Sequence, residues 1–162
     1  DRADLVTSFD LGSFGRAPAR FDEAELERLN TAILHQLPFA RVAGQLPPGM
    51  DEPGWLAIRP NVTRLADAAD WWQVVTGPVA PPVLPPEDRA LLALAADLLA
   101  WGEDPWHMLT AALKERSGRK GKPLFLPLRL AITGREHGPD MAALLPLIGE
   151  AETRARLARA AA

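Results

Sequence analysis

The sequence of 162 residues contains no cysteine and no tyrosine. Without cysteine the chain has no disulfide, no thiolate metal site and no cysteine nucleophile, a composition that fits a reducing compartment. No apolar run reaches the roughly 18 residues that a transmembrane helix needs, so we expect no membrane contact. The N-terminus shows neither a Met nor a basic signal-peptide region. We therefore expect a cytoplasmic protein and interpret the chain as a piece of a longer one.

The sequence also lacks the patterns of catalytic and metal sites. His35, His107 and His137 lie far apart and form no HxxxH or HExxH pair, so no metal site is predicted. The GRKGKP segment does not have the spacing of a phosphate-binding P-loop. Acidic pairs occur at predicted helix starts or in a loop, where they favour the helix dipole or solvate the surface. No catalytic residue is predicted, and the residues alone indicate a non-catalytic helical module.

The aliphatic composition favours helix over strand. The sequence has seven Val and four Ile, which favour strands, but twenty-five Leu, which favours helices. Runs that alternate apolar and polar residues are scarce. We predict an all-α fold with helices over residues 21–36, 61–75, 87–101, 104–117, 124–133, 139–148 and 150–162. The first helix should bury a stripe of Leu26, Leu29, Ile33 and Leu37, and residues 44–54 should form a loop.

A proline-rich stretch divides the chain. Five prolines lie between Pro78 and Pro86, and such a segment is neither helix nor central strand. We predict a junction at residues 76–88 that separates two small helical subdomains, residues 1–80 and 86–162.

The net charge of −3 hides an uneven distribution. Residues 111–139 carry seven basic and two acidic side chains, a local excess that can attract a phosphate backbone. A solvated loop is the alternative interpretation of such a run. Within this segment, Arg129 is the one charged residue of the apolar stretch PLFLPLRL. It is either an arginine aimed at a ligand, suited to base edges and phosphates, or a surface side chain with a buried stem.

Residues 121–149, GKPLFLPLRLAITGREHGPDMAALLPLIG, resemble the C-terminal signature of bacterial glutamyl-tRNA synthetases. The family pattern runs roughly as PLR, then A-x-TG, then GP, a helix and a final LG. This segment has these elements in order and ends in LIG. TSFDLGSFGRAPARFDEAELERLN and IRPNVTRLADAADWW resemble two earlier stretches of the family more loosely. In the first of these stretches the resemblance rests on six residues: Phe9, Pro18, Phe21, Asp22, Leu26 and Asn30.

The resemblance implies a helical anticodon-binding bundle of two subdomains, the first including the end of a stem-contact region. It implies tRNA as the partner, glutamate-accepting and possibly glutamine-accepting, bound by a monomer. Both nucleotide-binding signatures of the catalytic domain are missing from the sequence. ATP-dependent glutamylation, with its ATP and Mg, would then belong to a domain outside this chain, which itself needs no cofactor.

Site residues follow from the same resemblance. The anticodon-binding site would include six residues. Arg129 would contact a base or a phosphate, and Arg59 would take part in anticodon discrimination. Thr133, Gly138 and Pro139 would shape the turn that meets the anticodon, and Met141 would supply an apolar edge. Phosphate contacts would come from five: Lys114, Arg119, Lys120, Lys122 and Arg135. Arg59 could equally be a charge flanking a helix, and Asn30 is expected to be mainly structural.

A different class of function stays open at this point. A helical domain of the same ancestry could have lost tRNA binding and dock a protein instead. Five tryptophans support this alternative: Trp55, Trp71, Trp72, Trp101 and Trp106. Exposed tryptophans would favour a protein interface, and buried ones would be ordinary core.

Overall fold

Helices make up the regular structure of the computed structural model, which describes residues 2–10, 12 and 22–162. No strand occurs in these ranges, so the predicted all-α fold class is confirmed. The α-helices are α1 (Arg2–Ser8), α2 (Glu23–Leu34), α3 (Phe39–Val42), α4 (Glu52–Ile58), α5 (Asp67–Thr76), α6 (Pro86–Leu98), α7 (Pro105–Ser117), α8 (Lys122–Thr133), α9 (Met141–Ile148) and α10 (Glu150–Ala161). Within the described ranges, no helix is both long enough and apolar enough to cross a membrane.

Capping residues fix several of these boundaries. The side chains of Asp22 and Asp104 accept hydrogen bonds from backbone N–H groups in the first turns of α2 and α7. Helices α7 and α8 end at Gly118 and Gly134, whose φ angles of 70° and 68° are left-handed. Glycine adopts this conformation without strain and so terminates both helices.

The predicted loop over residues 44–54 is wrong in its second half. Helix α4 begins at Glu52, because Asp51 accepts a hydrogen bond of 2.9 Å from the Gly54 N–H and Pro53 occupies the first turn. Proline is tolerated there since the first N–H groups of a helix have no intrahelical partner. A Pro-Gly pair that looks like a loop in the sequence is therefore the start of a short helix.

The predicted helix over residues 61–75 begins six residues late, at Asp67. The Asp67 carboxylate accepts hydrogen bonds from the Thr63 N–H, the Thr63 hydroxyl and the Arg64 N–H. The bond from the Arg64 backbone is the main cause of a lowered Asp67 pKa. This local turn captures backbone donors that a helix through residues 62–66 would need.

Buried residues form two clusters that meet at α5. The first contains Leu34, Val42, Met50, Trp55, Ile58, Val62 and Ala68. The second runs from Val75 to Ala160 and is built mainly from α6 to α10. Trp72 packs against both clusters. Helix α5 is thus shared, and the division between buried clusters falls inside it, ahead of the proline-rich segment.

Most of the apolar stripe predicted for α2 does not face the described core. Leu26, Leu29 and Ile33 are 52%, 58% and 52% exposed. Leu37, just after the helix, is half-buried and packs against the first cluster as predicted. The α2 face turned toward the described core instead carries Leu34, which is buried, and Asn30, whose amide donates to the Thr63 carbonyl. Pro18 and Phe21, which the resemblance also used, lie outside the described residues.

Candidate nucleic-acid interface

The turn between α8 and α9 comprises residues 134–140. Five of the six residues predicted for the anticodon site lie in it or beside it: Arg129, Thr133, Gly138, Pro139 and Met141. At its start, Thr133 is 3% exposed, and its hydroxyl donates to the Arg129 carbonyl at 2.7 Å. The same oxygen accepts a hydrogen bond of 3.2 Å from the Arg135 N–H. Thr133 therefore ties the last turn of α8 to the first residues of the turn. We call residues 134–140 the α8–α9 turn below.

Arg129 spans the base of the α8–α9 turn. One terminal nitrogen of its half-buried guanidinium donates to the Pro139 carbonyl at 3.1 Å. Burial lowers the pKa of Arg129, and the nearby Asp140 carboxylate opposes that shift. Among the described residues, the other N–H groups of Arg129 have no hydrogen-bond partner. The side chain is thus held in one orientation while most of its five donors remain available to a ligand.

Helix α5 supports the α8–α9 turn from the other half of the chain. The Arg135 guanidinium lies over the Trp71 ring, 4.4 Å from its centroid. Gly138 has a φ of 144°, and a Cβ atom at this position would overlap the Trp71 ring. Trp71 therefore fits against the backbone of the turn and fixes an exposed arginine above it.

Pro139 and Met141 are both buried. The Pro139 carbonyl is occupied by Arg129, in keeping with a role in shaping the turn. Met141 is 2% exposed and belongs to the second buried cluster. It has no accessible edge to offer a base, so the structure corrects the predicted contact: Met141 anchors the first turn of α9.

Arg59 lies at the end of α4, in the first half of the chain. Its NH1 group donates to the Leu37 carbonyl at 3.0 Å, which also accepts a hydrogen bond of 2.9 Å from the Trp55 indole. Its Nε is buried without a partner among the described residues. No hydrogen bond or ring contact between described residues joins Arg59 to the α8–α9 turn.

The predicted phosphate contacts lie at two places. Lys114, Lys120 and Lys122 are exposed around the N-terminal end of α8, and the Lys114 ammonium lies 5.4 Å from the Phe125 ring centroid. Arg135 is in the α8–α9 turn at the opposite end. Helix α8 has 12 residues. At about 1.5 Å per residue, its ends are separated by about 16 Å.

Arg119 is a structural anchor and not a free cation. Its guanidinium forms an ion pair with Asp88 and donates to the carbonyls of Pro123 and Glu87. Only a quarter of its side chain is exposed. Because these bonds attach the loop before α8 to the start of α6, Arg119 holds the loop in place for Lys120 and Lys122. We call residues 118–122 the basic loop.

A family model described as an anticodon binding domain matches residues 58–161. The chain belongs to this family. The match begins just before Arg59 and includes Trp71, the basic loop and the α8–α9 turn.

Curated relatives extend the match to nearly the whole chain. Glutamate–tRNA ligase 2 of Erythrobacter litoralis is 60% identical over 161 residues, which is 99% of this chain and 36% of the relative. Glutamate–tRNA ligase 1 of Rhizorhabdus wittichii is 62% identical over 164 residues, 99% of this chain and 37% of the relative. The chain therefore spans little more than a third of the length of these ligases.

A solved structure has the same fold. The glutamate tRNA ligase from Elizabethkingia meningosepticum, in complex with its amino acid, matches with a TM-score of 0.78 at 20% identity. The match covers 98% of this chain and 36% of that chain. At this identity the likeness shows the fold alone, a helical domain that forms part of a longer chain.

The tryptophans do not support the protein-docking alternative. Trp55 and Trp106 are buried, at 0% and 7% exposure, and the other three are half-buried. The Trp72 indole also donates to the Pro48 carbonyl at 3.2 Å. These side chains are core and scaffold, so the family membership and the geometry favour the anticodon-binding function over docking.

Sequence reasoning missed the role of Trp71, which contacts Arg135 and Gly138 of the turn. It also missed Arg156 of α10, a buried arginine that bonds to carbonyls at the ends of α5 and α8. A signal for Arg156 exists, since it occupies a helical stripe with Thr153, Leu157 and Ala160, all of them buried. A charged residue at a core position of an amphipathic helix indicates a buried polar partner.

Proposed function

We propose that this chain is the part of a glutamate–tRNA ligase that binds the anticodon loop of tRNA. The observation that carries the proposal is the α8–α9 turn, where Arg129 is held by Pro139 and keeps unused donors. The names of the curated relatives support the choice of tRNA as the partner. The anticodon-binding family assignment of residues 58–161 supports the choice of the anticodon loop.

Arg129 is the proposed base contact. RNA sequence is recognised mainly in single-stranded loops, where unstacked bases expose their edges and faces. A planar guanidinium donates two parallel hydrogen bonds to a base edge, and a wrong base leaves those donors unpaired. The buried Thr133 hydroxyl, Gly138 and Pro139 would set the position from which Arg129 donates.

Arg59 enters the proposal as a second contact from the first half of the chain. Its bond to the Leu37 carbonyl fixes the guanidinium at the end of α4. A fixed arginine is pre-organised for recognition, because little side-chain freedom remains to be lost on binding.

The lysines near the basic loop are proposed to attract the RNA backbone. Lys114, Lys120 and Lys122 are exposed, and an ammonium on a flexible stem binds phosphate as a point charge without reading sequence. Arg135 would add a phosphate contact beside the bases, with its guanidinium held over Trp71.

The rest of the reaction is proposed to lie outside this chain. Glutamate activation with ATP and Mg would be carried out elsewhere in the longer ligase, in the cytoplasm, with this chain acting as a monomeric two-subdomain module. The substrate is proposed to be glutamate-accepting tRNA, with glutamine-accepting tRNA as the second candidate.

Binding to RNA stem-loops tests this proposal. One probe is the anticodon stem-loop of a glutamate-accepting tRNA, and the control is the same stem-loop with all three anticodon bases changed. We expect tighter binding to the cognate loop at low salt. Equal binding to both loops would reduce the function to general phosphate attraction, and no binding by a folded chain would contradict the proposal.

A further inference from the structure

Arg156 of α10 is the only charged residue that is buried among the described residues, at 2% exposure. All five N–H groups of its guanidinium have acceptors. The Nε donates to Glu152 at 2.9 Å, and NH1 donates to the carbonyls of Val74 and Ile132, both at 2.7 Å. NH2 donates to the carbonyls of Val75 and Gly77, at 3.3 and 2.9 Å.

These four carbonyls belong to the C-terminal ends of two helices. Val74, Val75 and Gly77 are at the end of α5, and Ile132 is one residue from the end of α8. The last carbonyls of a helix have no intrahelical donor, and they carry the negative end of the helix dipole. The single buried Arg156 guanidinium therefore donates to free carbonyls at the ends of both α5 and α8 and fixes the relative position of these two helix ends.

Both helix ends lie close to residues that support the α8–α9 turn. On α8, the residue after Ile132 is Thr133, whose hydroxyl organises the start of the turn. On α5, Trp71 lies one helical turn before Val74 and Val75, and it contacts Arg135 and Gly138. The two supports of the turn, Thr133 and Trp71, are thus each attached within about one turn of helix to carbonyls that Arg156 binds.

We infer that Arg156 is a positioning residue for anticodon recognition, which fixes the α8–α9 turn on Trp71 so that Arg129 and Arg135 face the RNA in one arrangement. It touches no RNA and acts through the two helix ends. This inference rests on the function proposed above. A binding site must be held within a fraction of an ångström by its supporting residues, and Arg156 supplies that support here.

The test substitutes Arg156→Lys, which keeps the charge and loses the planar five-donor geometry. Arg154→Lys is the matched control. Arg154 lies on the same helix and donates to the carbonyls of Ala96 and Leu99, at the end of α6 and away from the turn. Each folded variant is measured for the ratio of its affinities for the cognate and the altered stem-loop. The Trp71 indole ¹H–¹⁵N signal, assigned with a Trp71→Phe variant, is recorded without RNA.

We expect Arg156→Lys to shift the Trp71 signal and to lower the affinity ratio by about fivefold, with little change in affinity for the altered loop. Arg154→Lys should leave both readouts at wild-type values. The inference is overturned if folded Arg156→Lys keeps the wild-type ratio or the wild-type Trp71 signal, or if Arg154→Lys changes both as strongly.

Two further arms keep the outcome decisive. If Arg156→Lys does not fold, Glu152→Gln weakens the bond to the Arg156 Nε, and it should move the Trp71 signal in a smaller step. An unchanged signal in that variant overturns the inference. If the wild-type chain binds neither loop, the proposed function fails by itself, and the Trp71 signal still tests whether Arg156 positions the turn.

Discussion

The two ends of α8 carry cations that are held in different ways. At the C-terminal end, Arg129 donates to the Pro139 carbonyl and Arg135 lies over the Trp71 ring. At the N-terminal end, Lys120 and Lys122 are exposed, and they have no ion pair or hydrogen bond to a described side chain. An arginine held in one orientation, such as Arg129, can distinguish one base from another, whereas an exposed lysine responds only to charge.

The supporting structure follows the same division. The α8–α9 turn is held by the buried Thr133 hydroxyl and by Trp71, which packs against the first cluster. The basic loop is held by the bonds of Arg119 to the start of α6 and to Pro123, while its lysines are exposed. From this contrast and the proposed function we infer that base discrimination belongs to the C-terminal end of α8, and electrostatic attraction mainly to the exposed lysines at its N-terminal end.

Loss of the buried Arg156 guanidinium should give the largest decrease in the free energy of unfolding. Arg156→Met leaves four helix-end carbonyls without their donors and leaves Glu152 with Arg159 as its remaining partner. Because each buried acceptor left unpaired costs about 1–3 kcal/mol, we expect a loss of about 3–5 kcal/mol. Urea unfolding should show this decrease in the free energy of unfolding. Arg154→Met, from the same helix, should cost clearly less, and equal losses would remove the special role of Arg156.

The close contact between Gly138 of the turn and the Trp71 ring can also be disrupted by a substitution. Gly138→Ala introduces a methyl group that overlaps the Trp71 ring, at a φ of 144° that disfavours alanine. Strain and overpacking together should cost about 2–3 kcal/mol of stability. Gly44→Ala is the control, because nothing lies within 4 Å of a Cβ at that position. A neutral Gly138→Ala would show that the turn does not depend on Trp71.

Removal of the fixed donor should affect recognition without affecting fold. Arg129→Ala should weaken binding to the cognate anticodon loop by about 1–3 kcal/mol, as for a good bidentate base contact. Binding to the altered loop should change much less. Titration of both stem-loops measures the difference, and an unchanged cognate affinity would remove Arg129 from the site.

Loss of an exposed lysine at the N-terminal end of α8 should weaken binding without changing the discrimination between the two stem-loops. Lys120→Ala should weaken both stem-loops alike and reduce the slope of log affinity against log salt by about 0.7–1, the value of one phosphate contact. A salt series on both loops measures this slope. A loss confined to the cognate loop would contradict the assignment of Lys120 as a phosphate contact.

The smallest effect concerns pH. Hydrogen bonds from Arg156, and then from Arg159, lower the pKa of Glu152 below its ordinary value of 4.5. A carboxylate with a lowered folded pKa stabilises the protein above its unfolded pKa and loses that contribution as pH falls through the folded value. The stability difference between wild type and Glu152→Gln should therefore be largest near neutral pH and shrink below about pH 4.5. A difference that grows with acidity would contradict this pairing.

Local chemistry explains why much of the fold could be predicted. Asp22, Asp104, Gly118 and Gly134 each mark a helix end through backbone hydrogen bonds or a left-handed φ, and such signals are readable within a few residues. The same local rules failed at α4, where Asp51 caps a helix that begins with Glu-Pro-Gly. They failed again at Asp67, whose carboxylate replaces a helical turn by a local one.

The candidate site could be predicted only in part, for a tertiary reason. The family resemblance indicated Arg129, Thr133 and Pro139, which lie together because they are close in sequence. The contacts of Trp71 with Arg135 and of Arg156 with Val74 join residues more than 60 positions apart, and no local pattern encodes those pairings. Burial of Met141 and the ion pair of Arg119 likewise depend on which helices pack together.

The most direct test of the divided roles is the salt dependence of discrimination by the wild-type chain. The affinities for the cognate and the altered stem-loop are measured over a series of salt concentrations. Both should fall with the same slope, because phosphate contacts are shared, and their ratio should stay constant, because the fixed arginine reads bases without releasing counterions. An affinity ratio that falls toward one as salt rises would show that the exposed lysines carry the discrimination, and it would contradict this division of roles.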